Sequence, residues 1–373
     1  MEPFTYAVYD TATGVPQLQM SPSAGGWARE IGVAAGGQSH TFQLADGDPG
    51  RYLPRDQWRA LTVPWNRTLT VEQGNTVIYA GLITGRPYSF DNHVLTLKHS
   101  DIWTILRDRF PFGAGSYAGG TFVAKNLSWR AIAGRIVQAA CSGPRPIYAL
   151  PIVLSNLNEA GPHELTIENF HFQTAYDALM DIQATAGGPE IDFQPRKNAA
   201  GNLEHLMRVG SPAQPRLSGA MAEFHMSATR NQLTGVTIDE DAMKQITGMF
   251  VVGEGSEVDM VVGGLPVGSE PTPQIIARDA MLSKKHLKTE AEAANHAIAA
   301  TAALIGTTKQ TDVTYVVDPE IADVKDLVLG STFRLHYRDD FFLPDGYTDL
   351  RMMGVSGDTS APHQVKPILQ GVN

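Results

Sequence analysis

Carboxylates, histidines and a single cysteine are the side chains of this chain that could do chemistry. Glu190 and Asp192 stand two apart in Glu190-Ile191-Asp192-Phe193-Gln194, an alternating stretch that reads as a strand, so both project from one face. A carboxylate pair is what hydrolysis of a glycan backbone requires. Asp239-Glu240-Asp241 and Asp339-Asp340 are two further acidic clusters. None has neighbours that would hold one carboxyl protonated, and adjacent acids are ordinary on a solvated face. His163-Glu164 opens an H-E-x-x-H pattern, but Ile167 stands where the second zinc ligand belongs. The eleven histidines, scattered from His40 to His363, lack metal-ligand spacing. Cys141 follows an apolar helical stretch, the usual setting of a small buried hydrophobe, and as the one cysteine it can form no intrachain disulfide.

Nucleophile and nucleotide motifs fail on the same kind of inspection. Ser256 has Glu254 and Val258 where a G-x-S-x-G elbow needs glycines. Gly113-Ala114-Gly115-Ser116-Tyr117-Ala118 matches part of a dinucleotide fingerprint, yet it follows Pro111 and a helix rather than a buried strand. Trp27, Trp58, Trp65, Trp103 and Trp129 have the ring faces a glycan would stack on, but their apolar neighbours point to core packing. No catalytic, cofactor-binding or metal residue is assigned, and no cofactor is expected.

The elements that would hold these residues are mostly strands. Val77 to Arg109 is the organising stretch: a strand through Ile78, Tyr79, Gly81, Leu82 and Ile83, a polar turn at Asp91-Asn92-His93, and a strand from Val94 to Lys98 with Leu95 and Leu97 on one face. Ser100 or Asp101 then caps a short helix reaching Arg109. Phe4 to Val8, Met20 to Val33, His40 to Leu44, Leu61 to Pro64 and Thr68 to Val71 supply further strand pieces, with a tight turn at Gln73-Gly74-Asn75.

The middle of the chain changes character. Gly113 to Gly120 reads as a flexible loop. Asn126 or Ser128 caps a helix whose apolar face is Ile132, Ala133, Ile136, Val137 and Ala140. A second helix from Thr174 turns Ala175, Ala178, Leu179 and Ile182 inward and stops at Gly187-Gly188. Strands resume near Leu233 and Met249, and Gly253 to Gln274 reads as an exposed loop. A helix over Thr289 to Ile305 places Ala291, Ala294, Ile298, Ala302 and Ile305 on one face. Strands close the chain at Asp312 to Val317, Leu329 to Tyr337, Leu350 to Val355 and Val365 to Leu369.

Composition bounds the function classes. Hydrophobic residues make up 43% and charged residues 18%, which describes a globular chain rather than a disordered one. The formal net charge is −10, so no basic surplus exists to grip nucleic acid from outside. The first residues carry no basic n-region, and no apolar run approaches the roughly 20 residues of a membrane span.

In its order of elements the chain resembles the baseplate or tail-tip hub family of long-tailed phages, including the N-terminal structural region of tail-associated lysins. The residues that carry this are Ile78 to Ile83 with Val94 to Lys98 and Asp101 to Arg109, the Ala175 to Phe193 helix–Gly-Gly–strand unit, the Thr289 to Ile305 helix, and Leu327 to Phe333. The resemblance implies an α+β, mainly β fold: two tail-tube-like β-barrels with an α+β domain between them and a helix-bearing insertion in the second. The corresponding domains are 1–110, 111–215, 216–255 with 310–373, and the insertion 256–309. It further implies a homotrimer forming a pseudo-sixfold ring at the distal end of a virion tail. Its neighbours would be the distal tail protein, the tape measure protein and tip or fibre proteins, and DNA would cross its lumen without specific binding. Because the sequence stops at Asn373, right after the last β region, no catalytic extension is expected. A tail-tip peptidoglycan hydrolase and a receptor- or glycan-binding module are the rival readings.

Overall fold

The computed structural model describes residues 4–33, 36–44, 53–142, 146–185, 187–228, 231–265, 276–284, 287–304, 308–317 and 327–371. The chain divides into two compact units, Met1–Val236 with Val313–Asn373, and Thr237–Asp312.

The first unit opens with β1 (Thr5–Asp10), β2 (Pro16–Met20), β3 (Ala24–Glu30) and β4 (Gln38–Gln43). After α1 (Arg55–Leu61) come β5 (Arg67–Gln73), β6 (Thr76–Gly85), β7 (Tyr88–Ser89), β8 (Val94–Ser100) and the one-turn α2 (Trp103–Leu106). Gly74 at φ +55° makes the two-residue turn that pairs Gln73 with Thr76. Along β8 the expected alternation holds, with Leu95 and Leu97 buried and Lys98 exposed. Two readings are corrected. Leu61 to Pro64 is no strand, because Leu61 ends α1; that helix buries no residue, so no apolar period marks it. The helix expected to reach Arg109 stops at Leu106, with the Trp103 amide donating to Asp101 Oδ1 at 3.2 Å.

The middle elements are β9 (Thr121–Leu127), α3 (Trp129–Ala140), β10 (Ile152–Val153), β11 (Ala160–Glu168), α4 (Ala175–Ala184), β12 (Ile191–Lys197) and β13 (Leu203–Val209). Ser128 caps α3 by accepting from the Ala131 amide at 3.1 Å, and Thr174 caps α4 by accepting from Asp177 at 3.0 Å. Every apolar residue expected to face inward from these two helices is buried, and they share a core with Trp103, Leu106, Ile191 and Phe193. The 113–120 loop is tied down rather than loose. Asn169, buried at 3% exposure, accepts from Gly113 N at 2.9 Å and donates to the Gly113 and Ser116 carbonyls at 3.3 and 3.2 Å.

β14 (Met221–His225) and β15 (Leu233–Asp241) follow. Within the second unit lie β16 (Gly248–Val252), β17 (Val262–Leu265), β18 (Asp279–Ser283) and α5 (Glu290–Leu304), with β16 at the centre of a three-stranded sheet. Part of the expected 253–274 loop is therefore strand β17, and residues 266–274 lie outside the described residues. The face expected of α5 is also corrected. Ala293, Ala297 and Thr301 are buried, whereas Ile298 is 53% exposed; Ile305 lies outside the described residues. An alanine-rich helix has too little contrast around its circumference for periodicity to orient it. The helix comes so close to β17 that a Cβ on Gly263 would sit 2.1 Å from the Ala294 nitrogen.

The chain closes through β19 (Thr308–Val316), β20 (Thr332–Tyr337), β21 (Gly346–Asp358) and β22 (Gln364–Gly371). Early and late strands join in one 14-stranded sheet, ordered β15-β19-β22-β21-β3-β4-β8-β6-β5-β1-β2, with β20 beside β21, β14 beside β20 and β7 beside β8. The seam is β21 against β3, where Gly354 to Asp358 pair with Glu30 to Gly26. The fold is thus α+β and mainly β. Among the described residues no sheet closes into a barrel.

Candidate functional site

The first carboxylate pair sits at a junction between strands distant in sequence. Asp192, on β12, is 2% exposed and accepts from Arg29 Nη2 of β3 at 3.0 and 2.8 Å. Arg208 of β13 approaches it at 3.4 Å and donates onward to the carbonyls of Leu329 and Ser218 at 2.8 and 2.9 Å. Glu190 accepts from Arg351 of β21, at 2.7 Å through Nη1 and more closely through Nη2, and from the Leu217 amide at 2.8 Å. A third carboxylate joins them: Glu72 of β5, 3% exposed, receives Lys197 Nζ of β12 at 2.7 Å, Tyr9 Oη at 2.8 Å and Thr70 Oγ1 at 2.7 Å. Burial lowers the Arg208 pKa from its ordinary value, with Asp192 pulling the other way.

Each carboxylate thus meets a cation from another region. Glu190 and Asp192 do lie near one another, as their spacing suggests, but their oxygens are held by guanidinium groups. The space around Asp192 measures about 10 Å³, room for one water and not for a sugar ring. What this arrangement does is fasten the middle region to strands from both ends of the chain.

A second polar network lies inside the N-terminal strands. Tyr79 Oη is 2.8 Å from His99 Nδ1, and His99 Nε2 is 2.7 Å from His40 Nδ1. Two ring nitrogens at that distance share one proton, so both imidazoles cannot be charged together. Burial lowers the pKa of His40 to about 4, with Asp358 opposing, and that of His99 to about 3, with His40 adding to the effect. Gly81 makes room for this chain, since a Cβ there would lie 2.3 Å from the Tyr79 oxygen.

The remaining candidates are placed as follows. Asp239, Glu240 and Asp241 are exposed on β15. Asp340 accepts from the Phe342 and Leu343 amides at 2.8 and 2.7 Å, bonds that hold its pKa below the usual carboxylate value. It shapes the β20–β21 turn, whose tip carries the fully exposed Phe341 and Phe342. His163 stacks on Trp129 with ring centres 4.4 Å apart. Trp27 and Trp103 are core residues, Trp58 and Trp129 are half-buried, and Trp65 is 45% exposed. Cys141 ends α3, and burial pushes its thiol up to about 11, against the chemistry of a nucleophile. Sequence reading missed one surface feature: Phe110, Phe112, Tyr117 and Phe172 gather around the Asn169 loop, with ring centres 5.0 to 5.8 Å apart. Phe172 is 53% and Tyr117 66% exposed, so the cluster offers an aromatic face to solvent.

Searches with the sequence found no matching family description and no matching curated protein. The architecture does match solved structures. The 43 kDa tail protein of prophage MuSo2 from Shewanella oneidensis superposes with a TM-score of 0.57 at 12% identity, covering 98% of each chain. This chain has the phage tail-protein fold. A tail protein from Neisseria meningitidis MC58 matches with a TM-score of 0.54 at 16% identity, over 98% of this chain and 96% of that one. A chain of the lidded Francisella PdpA–VgrG complex matches with a TM-score of 0.52 at 8% identity, over all of this chain but 53% of that one. The likeness to phage tail proteins read from the order of elements is matched by the three-dimensional fold.

Proposed function

We propose that this chain is a structural subunit of a phage-type tail, built into the hub at the distal end of the tube. The observation that carries this reading is the end-to-end match to two tail proteins, 98% and 96% of whose chains are covered, with no large part of either protein left over. The finer reading is that strands β1–β8 and strands β14, β15 and β19–β22 are two tube-like halves of one protomer, tied edge to edge through β3 and β21. Three copies would then present six similar halves, letting a threefold assembly seat on a sixfold tube. The ion pairs at Glu72, Asp192 and Glu190 support a rigid element that passes load between its parts. The tip at Phe341-Phe342 and the aromatic face around Phe172 are apolar surfaces suited to neighbouring tail proteins. With a net charge of −10, a channel through the ring would repel DNA rather than hold it.

The role is non-enzymatic in this reading, and the use of Glu190 and Asp192 in ion pairs supports it. The test is the mass of the purified protein by analytical ultracentrifugation, with the distal tail protein added in a second run. A trimer in either run is the expected result; a monomer in both, together with clearing of cell walls by the same sample, would replace the hub with a hydrolase.

A further inference from the structure

We propose that Glu223, His225 and His336 form a binding site for a borderline divalent transition ion such as Zn²⁺ on the solvent face of the β14–β20 pair. The site follows from register. β14 and β20 run parallel, with Glu223 opposite Arg334, Phe224 opposite Leu335 and His225 opposite His336. Side chains alternate along a strand, so burying Phe224 and Leu335 at 6% and 0% exposure turns the other four outward on a common face. The two imidazoles stack with centres 4.5 Å apart and planes 17° from parallel. His336 Nε2 is shielded from solvent, has no hydrogen-bond partner among the described residues and lies 3.5 Å from Glu223 Oε2.

One ligand atom from each of the three residues lies within 4.8 Å of the others. Around a tetrahedral zinc with bonds near 2.0–2.2 Å, ligand atoms are about 3.3 Å apart. The exposed side chains of Glu223 and His225 need only small rotations to close that gap. Two imidazoles with one carboxylate suit zinc, copper or nickel rather than magnesium or calcium, and leave a position for water or a neighbour's side chain. Among the described residues the cation that could interfere is Arg334, at 3.7 Å from Glu223 Oε1. It is held by Asp349 through two bonds of 2.7 and 2.8 Å and lies 4.3 Å over the Tyr347 ring, leaving Glu223 Oε2 to the metal. The bound ion would staple β14, which pairs only with β20 among the described residues, to the rest of its sheet. This site is independent of the tail reading.

The experiment is calorimetric titration of ZnCl₂ into the full chain after EDTA treatment and buffer exchange. One Zn²⁺ per chain is expected, with a rise in thermal midpoint and, on Co²⁺ substitution, intense visible bands of low coordination number. His225→Ala and His336→Ala should each weaken binding by at least about 10- to 100-fold, the range that even outer-sphere partners of a metal command. Glu223→Gln, which preserves shape, should weaken it too, and His171→Ala should not. Circular dichroism and the thermal midpoint in EDTA establish that each variant is folded. Three outcomes overturn the site: no saturable binding to the folded protein, binding unchanged in the His225→Ala/His336→Ala double variant, or equal loss in His171→Ala. Any of them leaves the cluster an ordinary surface ion pair.

Discussion

Among the described residues, the carboxylate junction and the Tyr79–His99–His40 chain satisfy burial in opposite ways. At the junction, each of Asp192, Glu190 and Glu72 is met by a cation, with Arg29, Arg208, Arg351 and Lys197 reaching them from other segments. Between β4, β6 and β8, the Tyr79–His99–His40 chain is neutral, and proton sharing stands in for charge pairing. A buried ion pair draws its strength from both partners being present, because removing one strands the other in a poor solvent for charge. A neutral relay avoids that cost but depends on pH. The first design suits a joint between distant segments; the second suits the inside of a single sheet.

The sharpest way to break this comparison is Asp192→Ala. It leaves Arg29 and Arg208 buried without their carboxylate and should cost about 3–5 kcal/mol. The expected result in urea unfolding is a large fall in the midpoint; a change below 1 kcal/mol would mean that water already solvates the junction.

Next in size is the pH dependence. His40, His99 and also His205, whose pKa burial lowers to about 4 with Arg29 adding to the effect, are neutral in the fold. In the unfolded chain they take up protons below about pH 6.5. The unfolded state therefore binds more protons in this window, so stability is complete above pH 6.5 and is lost as pH falls towards 4. Each histidine contributes up to about 1.4 kcal/mol per pH unit. Thermal midpoints between pH 6.5 and 5 should drop steeply, and more shallowly in His40→Gln/His99→Gln; parallel slopes would locate the acid sensitivity elsewhere.

Gly81→Ala sharpens the same contrast by steric means. The new methyl would push the Tyr79 phenol off His99, at a cost of about 1–3 kcal/mol as an overpacked core change. Loss of the Tyr79–His99 hydrogen bond would show in the histidine ring proton spectrum. Smallest is Thr174→Ala, which removes the α4 cap away from both networks and should cost about 1 kcal/mol. If it proved as costly as Asp192→Ala, the junction would hold no special place in the fold.

The local half of this structure was legible from residue order. Ser128 and Thr174 cap their helices, Ile132 to Ala140 and Ala175 to Ile182 turn inward, and Leu95 and Leu97 face the core, because caps and periodicity act over a few residues. α1 escaped because it buries nothing, and α5 was misoriented because alanines fill most of its circumference. Glu190 and Asp192 were recognisable as a pair, yet their partners Arg351 and Arg29 stand far away in the sequence. Only the pairing of β3 with β21, and the fold that carries Glu190 and Asp192 to Arg351 and Arg29, bring those charges together. His225 and His336 belong to the same class: no spacing rule connects them until a parallel register sets them side by side. Helix faces and caps are short-range facts that the chain carries in its order of residues. Ion pairs and metal ligands drawn from different strands exist only after long loops have closed and register is set, which is why tertiary structure alone decided them.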